Sequence, residues 1–67
     1  MKAVGSPSHR LTFEDAVIVW IMHWHGEIQS RIAAYFDVNG GRVNEVLKEN
    51  KHIGSRGEAM RRFKKSA

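Results

Sequence analysis

The stretch between residues 39 and 48 carries the side chains of this sequence that are best suited to recognising another molecule. The residues that we expect to be exposed on it are Asn39, Gly40, Gly41, Arg42, Asn44, Glu45 and Lys48. The guanidinium of Arg42 can pair with O6 and N7 of guanine, and the carboxamide of Asn44 can pair with N6 and N7 of adenine. Because Glu45 would repel phosphate, it either accepts from N4 of cytosine or tethers Arg42.

The other reactive side chains do not form a catalytic or metal-binding set. The sequence has no cysteine, which excludes disulfides and thiolate metal sites. His23 and His25 are two residues apart, so on a helix they do not share a face and cannot easily bind one metal ion. A catalytic triad requires a pocket that 67 residues can hardly enclose. We therefore expect no enzyme activity, no metal and no cofactor.

Charge is distributed unevenly along the chain. Residues 39–67 hold eight of the eleven Lys and Arg residues but only three of the seven acidic ones. A basic half beside a near-neutral half is typical of nucleic-acid binders, although basic ribosome-associated and membrane-surface proteins share it. The longest apolar run, residues 16–22, is well short of the roughly 20 residues that a membrane span needs. The N-terminus lacks the order of a signal peptide, so we expect a cytoplasmic, nucleoid-associated protein.

Helical periodicity predicts where these side chains are held. Thr12 can cap a first helix whose apolar face comprises Phe13, Ala16, Val17, Trp20, Ile21 and Trp24, and which Gly26 ends. A second helix begins near Glu27, with an apolar stripe of Ile28, Ile32, Tyr35 and Phe36. After a turn over residues 37–39, Asn39 can cap a third helix that extends to about Glu49, with Val43, Val46 and Leu47 facing inward. Ser55 and Glu58 have the spacing of a capping box, which predicts a short helix in which Met60 and Phe63 form an apolar pair and the cations point to water.

The predicted architecture is therefore all-α, with three helices and a short fourth helix at the C-terminal end. We expect a flexible N-terminal arm over residues 1–10, a three-helix domain over residues 11–54, and a basic, helical segment over residues 55–67. The central features are two helices joined by a three-residue turn. Ala33 allows them to cross closely, and Val38 anchors the turn to the core.

This arrangement over residues 29–47 resembles the helix-turn-helix of bacterial and phage repressors. The run Val-Asn-x-Gly-Arg-Val-x-Glu-Val-Leu, residues 38–47, is also similar to small helix-turn-helix proteins of phage and proteobacterial origin. Many such sequences place Gly in the turn where this chain has Asp37, a residue that tolerates the left-handed conformation better than most. The resemblance implies a small transcriptional regulator or phage-type repressor that binds double-stranded DNA, with the third helix in the major groove.

The resemblance also implies roles for polar and basic residues outside the third helix. Gln29, Ser30 and Arg31, at the start of the second helix, would contact the DNA backbone and fix the register. Further phosphate contacts would come from Lys51, Arg56, Arg61 and Arg62. An RNA-binding role ranks lower, because sequence-specific RNA readers usually present aromatic residues on a sheet or loop.

The first helix carries a second apolar surface, formed by Ile18, Val19 and Met22. A helix that is apolar almost all round is expected to be buried on both sides. The cover is either the C-terminal segment, through Met60 and Phe63, or the same helix of a second protomer, and we favour a homodimer. The alternative function is that of a protein–protein interaction adaptor that docks through this surface.

Overall fold

The computed structural model describes residues 10–66, and the side chains of residues 10–64. The described residues form helices α1 (Phe13–Trp24), α2 (Gln29–Phe36), α3 (Gly40–Leu47) and α4 (Ser55–Ser66), without a strand. The all-α prediction is confirmed, and the C-terminal segment is a full helix rather than a short one. Except for Arg10, the expected N-terminal arm lies outside the described residues.

The capping residue predicted for the first helix is correct. Thr12 Oγ1 accepts a hydrogen bond from the Asp15 amide at 3.0 Å, and the Thr12 amide donates to Asp15 Oδ2 at 3.1 Å. This reciprocal capping box satisfies two N–H groups that would otherwise lack partners at the helix start. At the other end His25 is the C-cap, and Gly26 follows with a φ of +96°, a conformation that favours glycine.

The connection between α2 and α3 is a three-residue turn. Asp37 adopts the left-handed conformation, with φ 57° and ψ 47°. The Val38 amide donates to the Ala33 carbonyl at 3.0 Å, and the Val38 side chain is half-buried against the core. Asn39 Oδ1 accepts from the Gly41 amide at 2.7 Å, which confirms the predicted cap of α3. The helix ends at Leu47, two residues before the predicted Glu49, which has a φ of +59°.

All four helices contribute to one core. Its fully or nearly fully buried apolar residues are Leu11, Ala16, Val17, Val19, Trp20, Ile32, Ala33, Phe36, Val43, Val46 and Ala59. The buried set includes Ile32, Ala33, Phe36, Val43 and Val46 of α2 and α3, with Val38 and Leu47 half-buried beside it. Trp20 is buried and Trp24 is half-buried, in accordance with their expected place in the core.

Three residues that the periodicity assigned to the core are instead exposed. Phe13 is 45% exposed, Ile28 is 65% exposed and Tyr35 is 58% exposed. Ile28 is the N-cap of α2 and precedes the helix, because α2 begins two residues later than Glu27. Within α2 the buried face is formed by Ile32, Ala33 and Phe36. At about 100° per residue, Tyr35 falls beside this face, beyond Ile32 and about 100° from Phe36.

The fourth helix packs against α1 and contacts neither α2 nor α3. Of the predicted apolar pair, Met60 is 39% exposed, and the buried residues of this helix are Ser55 and Ala59. Phe63 contacts Trp24, with ring centroids 5.4 Å apart. Small residues one turn apart thus allow α4 to lie close to α1.

The predicted capping box at the start of α4 is also wrong. The Ser55 amide donates to the His52 carbonyl at 3.0 Å, so it is not available to Glu58. The Glu58 carboxylate accepts instead from Arg61 at 2.6 Å and from Arg62 at 2.8 Å. Ser55 lies within the helix rather than at its cap, since Gly54, with a φ of +102°, makes the turn before it.

The second apolar surface of α1 lies largely within the protein. Val19 is fully buried, and Ile18 and Met22 are half-buried against the core. Val19 is therefore covered by the same chain, and no part of its side chain is available to a second protomer. The large apolar residues that remain exposed are Phe13, Ile28, Tyr35, Ile53 and Met60.

Candidate functional site

The predicted recognition residues lie on the exposed part of α3 and on its two caps. Val43 and Val46 point into the core, whereas Asn39, Gly40, Gly41 and Arg42 are exposed. Gly41 lies on the side of the helix opposite these valines, whereas Arg42, one turn before Val46, lies at the edge of the buried face. Asn44 is half-buried, so less of its carboxamide is available than the sequence predicted.

The two glycines of α3 have different surroundings. A Cβ atom at Gly40 would meet nothing within 4 Å, so no packing contact requires glycine at this position. At Gly41 the same atom would lie 3.2 Å from Asn39 Oδ1, the oxygen that caps the helix. Gly41 thus makes room for the cap, while Gly40 leaves the N-terminal end of α3 open to a ligand.

Arg42 and Glu45 form an ion pair on this surface. Arg42 Nη1 lies 3.3 Å from Glu45 Oε1, and both side chains remain partly exposed. Of the two roles predicted for Glu45, the structure contains the contact that tethers Arg42. One nitrogen of the guanidinium is engaged, and a guanidinium has five N–H donors in all, so donors remain for a ligand.

The other predicted contacts on α2 and after α3 are also exposed. Gln29, Ser30 and Arg31 occupy the first turn of α2. Arg31 Nε is 3.9 Å from Glu27 Oε1, a loose contact at the surface. Lys48 is the C-cap of α3 and is exposed.

A cleft that the sequence did not predict lies beside α3. We call it the basic cleft; it has a volume of about 240 Å³ and is lined by Arg10, Leu11, Arg42, Glu45, Val46, Lys51 and His52. Nε2 of His52 donates a hydrogen bond to the Leu11 carbonyl at 2.9 Å, across 41 positions of sequence. His52 adopts a φ of +52°. This contact joins the segment before α1 to the loop after α3, and no local sequence pattern predicts it.

The C-terminal arginines are occupied by contacts within the molecule. Arg62 binds Glu14 of α1 through two hydrogen bonds of 2.6 and 3.1 Å, and it also binds Glu58. Arg61 binds Glu58, and the guanidinium carbon of Arg56 lies 5.9 Å from the centre of the Trp20 ring. The expectation that Arg62 points to water is therefore wrong: it fastens α4 to α1. The structure brings Arg42 and Lys51 together, and it places these three arginines on a helix that does not touch α3.

These contacts shift the titration of the carboxylates. The hydrogen bond from Arg62 lowers the pKa of Glu14. The hydrogen bonds from Arg61 and then Arg62 lower the pKa of Glu58, and the same contacts raise the pKa of Arg62. Each shift favours the charged form, because an opposite charge at hydrogen-bond distance stabilises it.

Residues 10–66 contain no group of three or more His, Asp or Glu side chains placed to hold a metal ion. None of the helices described is long and apolar enough to cross a membrane. Comparisons with protein-family models, with curated proteins and with solved structures found no match to this chain.

Proposed function

We propose that this protein binds duplex DNA in a sequence-specific manner through α3, as a small transcriptional regulator or phage-type repressor and not as an enzyme. The observation that carries the proposal is the two-sided character of α3. This helix buries Val43 and Val46 and leaves Gly40, Gly41 and Arg42 exposed at its N-terminal end, one three-residue turn after α2. Recognition helices of helix-turn-helix proteins contact base edges through that same end.

The roles within this surface follow from side-chain chemistry. Arg42 reads guanine through the donors that Glu45 leaves unoccupied, and Glu45 restricts the orientation of the guanidinium. Gln29, Ser30 and Arg31 contact phosphate oxygens and fix the register of the protein on the duplex. Lys48 and Lys51 add phosphate contacts beyond the end of α3.

Selection of binding sites from random duplexes, followed by titrations at several salt concentrations, tests this proposal. We expect an enriched site and an affinity that falls linearly, on logarithmic axes, as salt increases, because cation–phosphate contacts release counterions. No enriched site, together with no binding of any duplex at low salt, would contradict it.

Arg42→Ala and Arg31→Ala form a matched pair for the assignment of roles. Loss of a base contact should weaken binding to the selected site by about 1–3 kcal/mol and relax the preference at one position. We expect this from Arg42→Ala, whereas Arg31→Ala should weaken selected and scrambled duplexes equally. The roles assigned here are refuted if Arg42→Ala also affects both duplexes equally.

A second candidate function, protein–protein contact, is favoured by one specific observation. Ile28 and Tyr35 are exposed, and an open depression beside them is lined by Met22, Glu27, Arg31, Ala34 and Tyr35. Exposed apolar residues grouped in this way are typical of interaction surfaces. A second protomer or another protein seated there would cover Arg31, so this candidate function excludes the phosphate contact assigned to Arg31 above.

A further inference from the structure

We propose that the basic cleft binds a single phosphate group, and that this phosphate belongs to the backbone of the duplex. The inference rests on the proposed function for the source of the phosphate. The site itself rests on Arg10 and Lys51, which line one concave surface beside the ion pair of Arg42 with Glu45.

The position of two of these cations is fixed by a contact between their neighbours. Arg10 precedes Leu11 and Lys51 precedes His52, and the His52 ring donates to the Leu11 carbonyl at 2.9 Å. Leu11 is also a buried core residue, only 6% exposed. The two cations are therefore held at the same cleft by a packed side chain and a long-range hydrogen bond rather than by chance proximity on a loop.

The charge of the basic cleft is unbalanced. Three cationic side chains face one carboxylate, that of Glu45, which already pairs with Arg42 at 3.3 Å. Like charges held together repel one another, so an arrangement of this kind is stabilised when an anion enters. Arginine and lysine are the side chains that bind phosphate best, the first through its planar fork and the second as a point charge.

Size and location agree with this ligand. The volume of about 240 Å³ is several times the roughly 30 Å³ share of one water molecule, so a phosphate group and its hydration fit. Arg42 and Val46 of α3 line the cleft, and the exposed end of α3 is the part proposed to enter the major groove. A phosphate at this position lies on a strand that borders the groove, where it fixes how α3 is seated.

Titration with inorganic phosphate at constant ionic strength, followed by amide NMR of the full chain, tests the site without DNA. We expect saturable shifts at Leu11, Lys51 and His52. Lys51→Gln should weaken the binding roughly tenfold, as for the loss of one charge-assisted contact. Lys64→Gln, which removes an exposed lysine from α4, should leave it unchanged. Shifts absent from the cleft, or equal losses in the two variants, would overturn the site.

The same two variants titrated with duplex DNA identify the source of the phosphate. We expect Lys51→Gln to reduce the salt slope by about one, and to do so more than Lys64→Gln. If the cleft binds inorganic phosphate but Lys51→Gln leaves duplex binding unchanged, the backbone source is refuted. If the unaltered protein binds no duplex, the proposed function fails and the backbone source fails with it, while saturable phosphate binding assigns the cleft to free phosphate. Thermal unfolding by circular dichroism confirms that each variant folds.

Discussion

Asp37 shows how one residue sets the geometry of the candidate recognition unit. Its φ of 57° and ψ of 47° turn the chain between α2 and α3 through the left-handed region. This conformation brings a Cβ atom close to the following carbonyl, at a cost of roughly 1–2 kcal/mol for most residues. Asn and Asp pay less because their short polar side chains interact with the local backbone. The left-handed backbone conformation of the turn therefore explains why this position carries Asp rather than Val or Leu.

Replacing Asp37 by Gly and by Ala separates the backbone effect from the side-chain effect. Both variants lose the carboxylate, but only Ala retains a Cβ atom in the left-handed conformation. We expect Asp37→Gly to have a free energy of unfolding about 1 kcal/mol higher than Asp37→Ala, measured by urea denaturation. Equal stabilities would show that the left-handed conformation is not maintained in solution.

Gly40 offers a second test at the residue scale. A methyl group there meets no atom within 4 Å, and alanine favours helix by up to about 1 kcal/mol over glycine. Gly40→Ala should thus raise the melting temperature while it lowers duplex affinity, because the added methyl lies where α3 is proposed to approach DNA. Gly41→Ala is the contrasting variant, since its methyl would crowd the Asn39 cap and lower stability. A Gly40→Ala protein that binds duplex as well as the parent would contradict the proposed approach.

At the scale of helices, the attachment of α4 to α1 depends on charge as well as packing. Arg62 bridges Glu14 of α1 and Glu58 of α4, and Ala59 is buried between the two helices. Exposed ion pairs usually contribute little, but a two-pronged Arg–carboxylate contact within a network is the favourable case. The bridge consequently makes the attachment of α4 sensitive to pH.

The direction of this pH dependence follows from the lowered pKa values of Glu14 and Glu58. A carboxyl whose pKa is lower in the folded state stabilises the protein above its unfolded pKa, and that contribution is lost as the pH falls through the folded pKa. Arg62→Met should therefore melt at a lower temperature than the parent at neutral pH, and the difference should vanish in acid. Arg61→Met, which removes a contact to Glu58 alone, should show a smaller difference. Melting curves that differ equally at all pH values would contradict the bridge.

The sequence predicted α1, α2 and α3 well because their apolar residues are large and regularly spaced, with Thr12 and Asn39 marking two helix starts. It misplaced the packing of α4 because Ser55 and Ala59, the residues that touch α1, carry no strong hydrophobic signal. Exposure of Tyr35 was missed because this residue lies at the edge of the apolar stripe, where the period alone does not decide burial. Exposure of Ile28 was missed because α2 begins two residues later than predicted, which leaves Ile28 outside the helix as its N-cap.

The candidate site was predictable only in part for a different reason. Residues 39–48 are contiguous, so local periodicity was sufficient to place Val43 and Val46 in the core and to leave Gly41 exposed. The basic cleft joins residue 10 to residue 51 through the contact of His52 with Leu11, and nothing in either segment indicates the other. Contacts between positions so distant in sequence depend on the whole core being assembled.

For the whole molecule, the structure redistributes the charge that the sequence places in its C-terminal half. Arg61 and Arg62 are paired with carboxylates, whereas Arg10 and Lys51 join Arg42 at the basic cleft. A cationic surface is thereby formed beside α3, in addition to the exposed Arg56 and Lys64 of α4. This is the arrangement expected if phosphate contacts accompany a base-reading helix.

The exposed apolar residues lead to a prediction about assembly. If the surface around Ile28 and Tyr35 joins two protomers, sedimentation velocity should detect a dimer that Ile28→Ser weakens. Ile53→Ser is the matched control, because Ile53 is also highly exposed but lies in the loop before α4. A monomer at all concentrations, or equal effects of the two variants, would contradict this dimer.

If α3 presents a DNA-binding surface, titration with a short duplex at low salt should shift the amide NMR signals of the residues that contact DNA. This measurement tests the proposed function most directly. We predict shifts at residues 29–31 and 39–48 and at the basic cleft, through Leu11, Lys51 and His52. The amide signals of residues in the middle of α1 should not shift, because this part of the helix is buried in the core. Shifts confined to α1 and α4, or no shifts with any duplex, would contradict the claim.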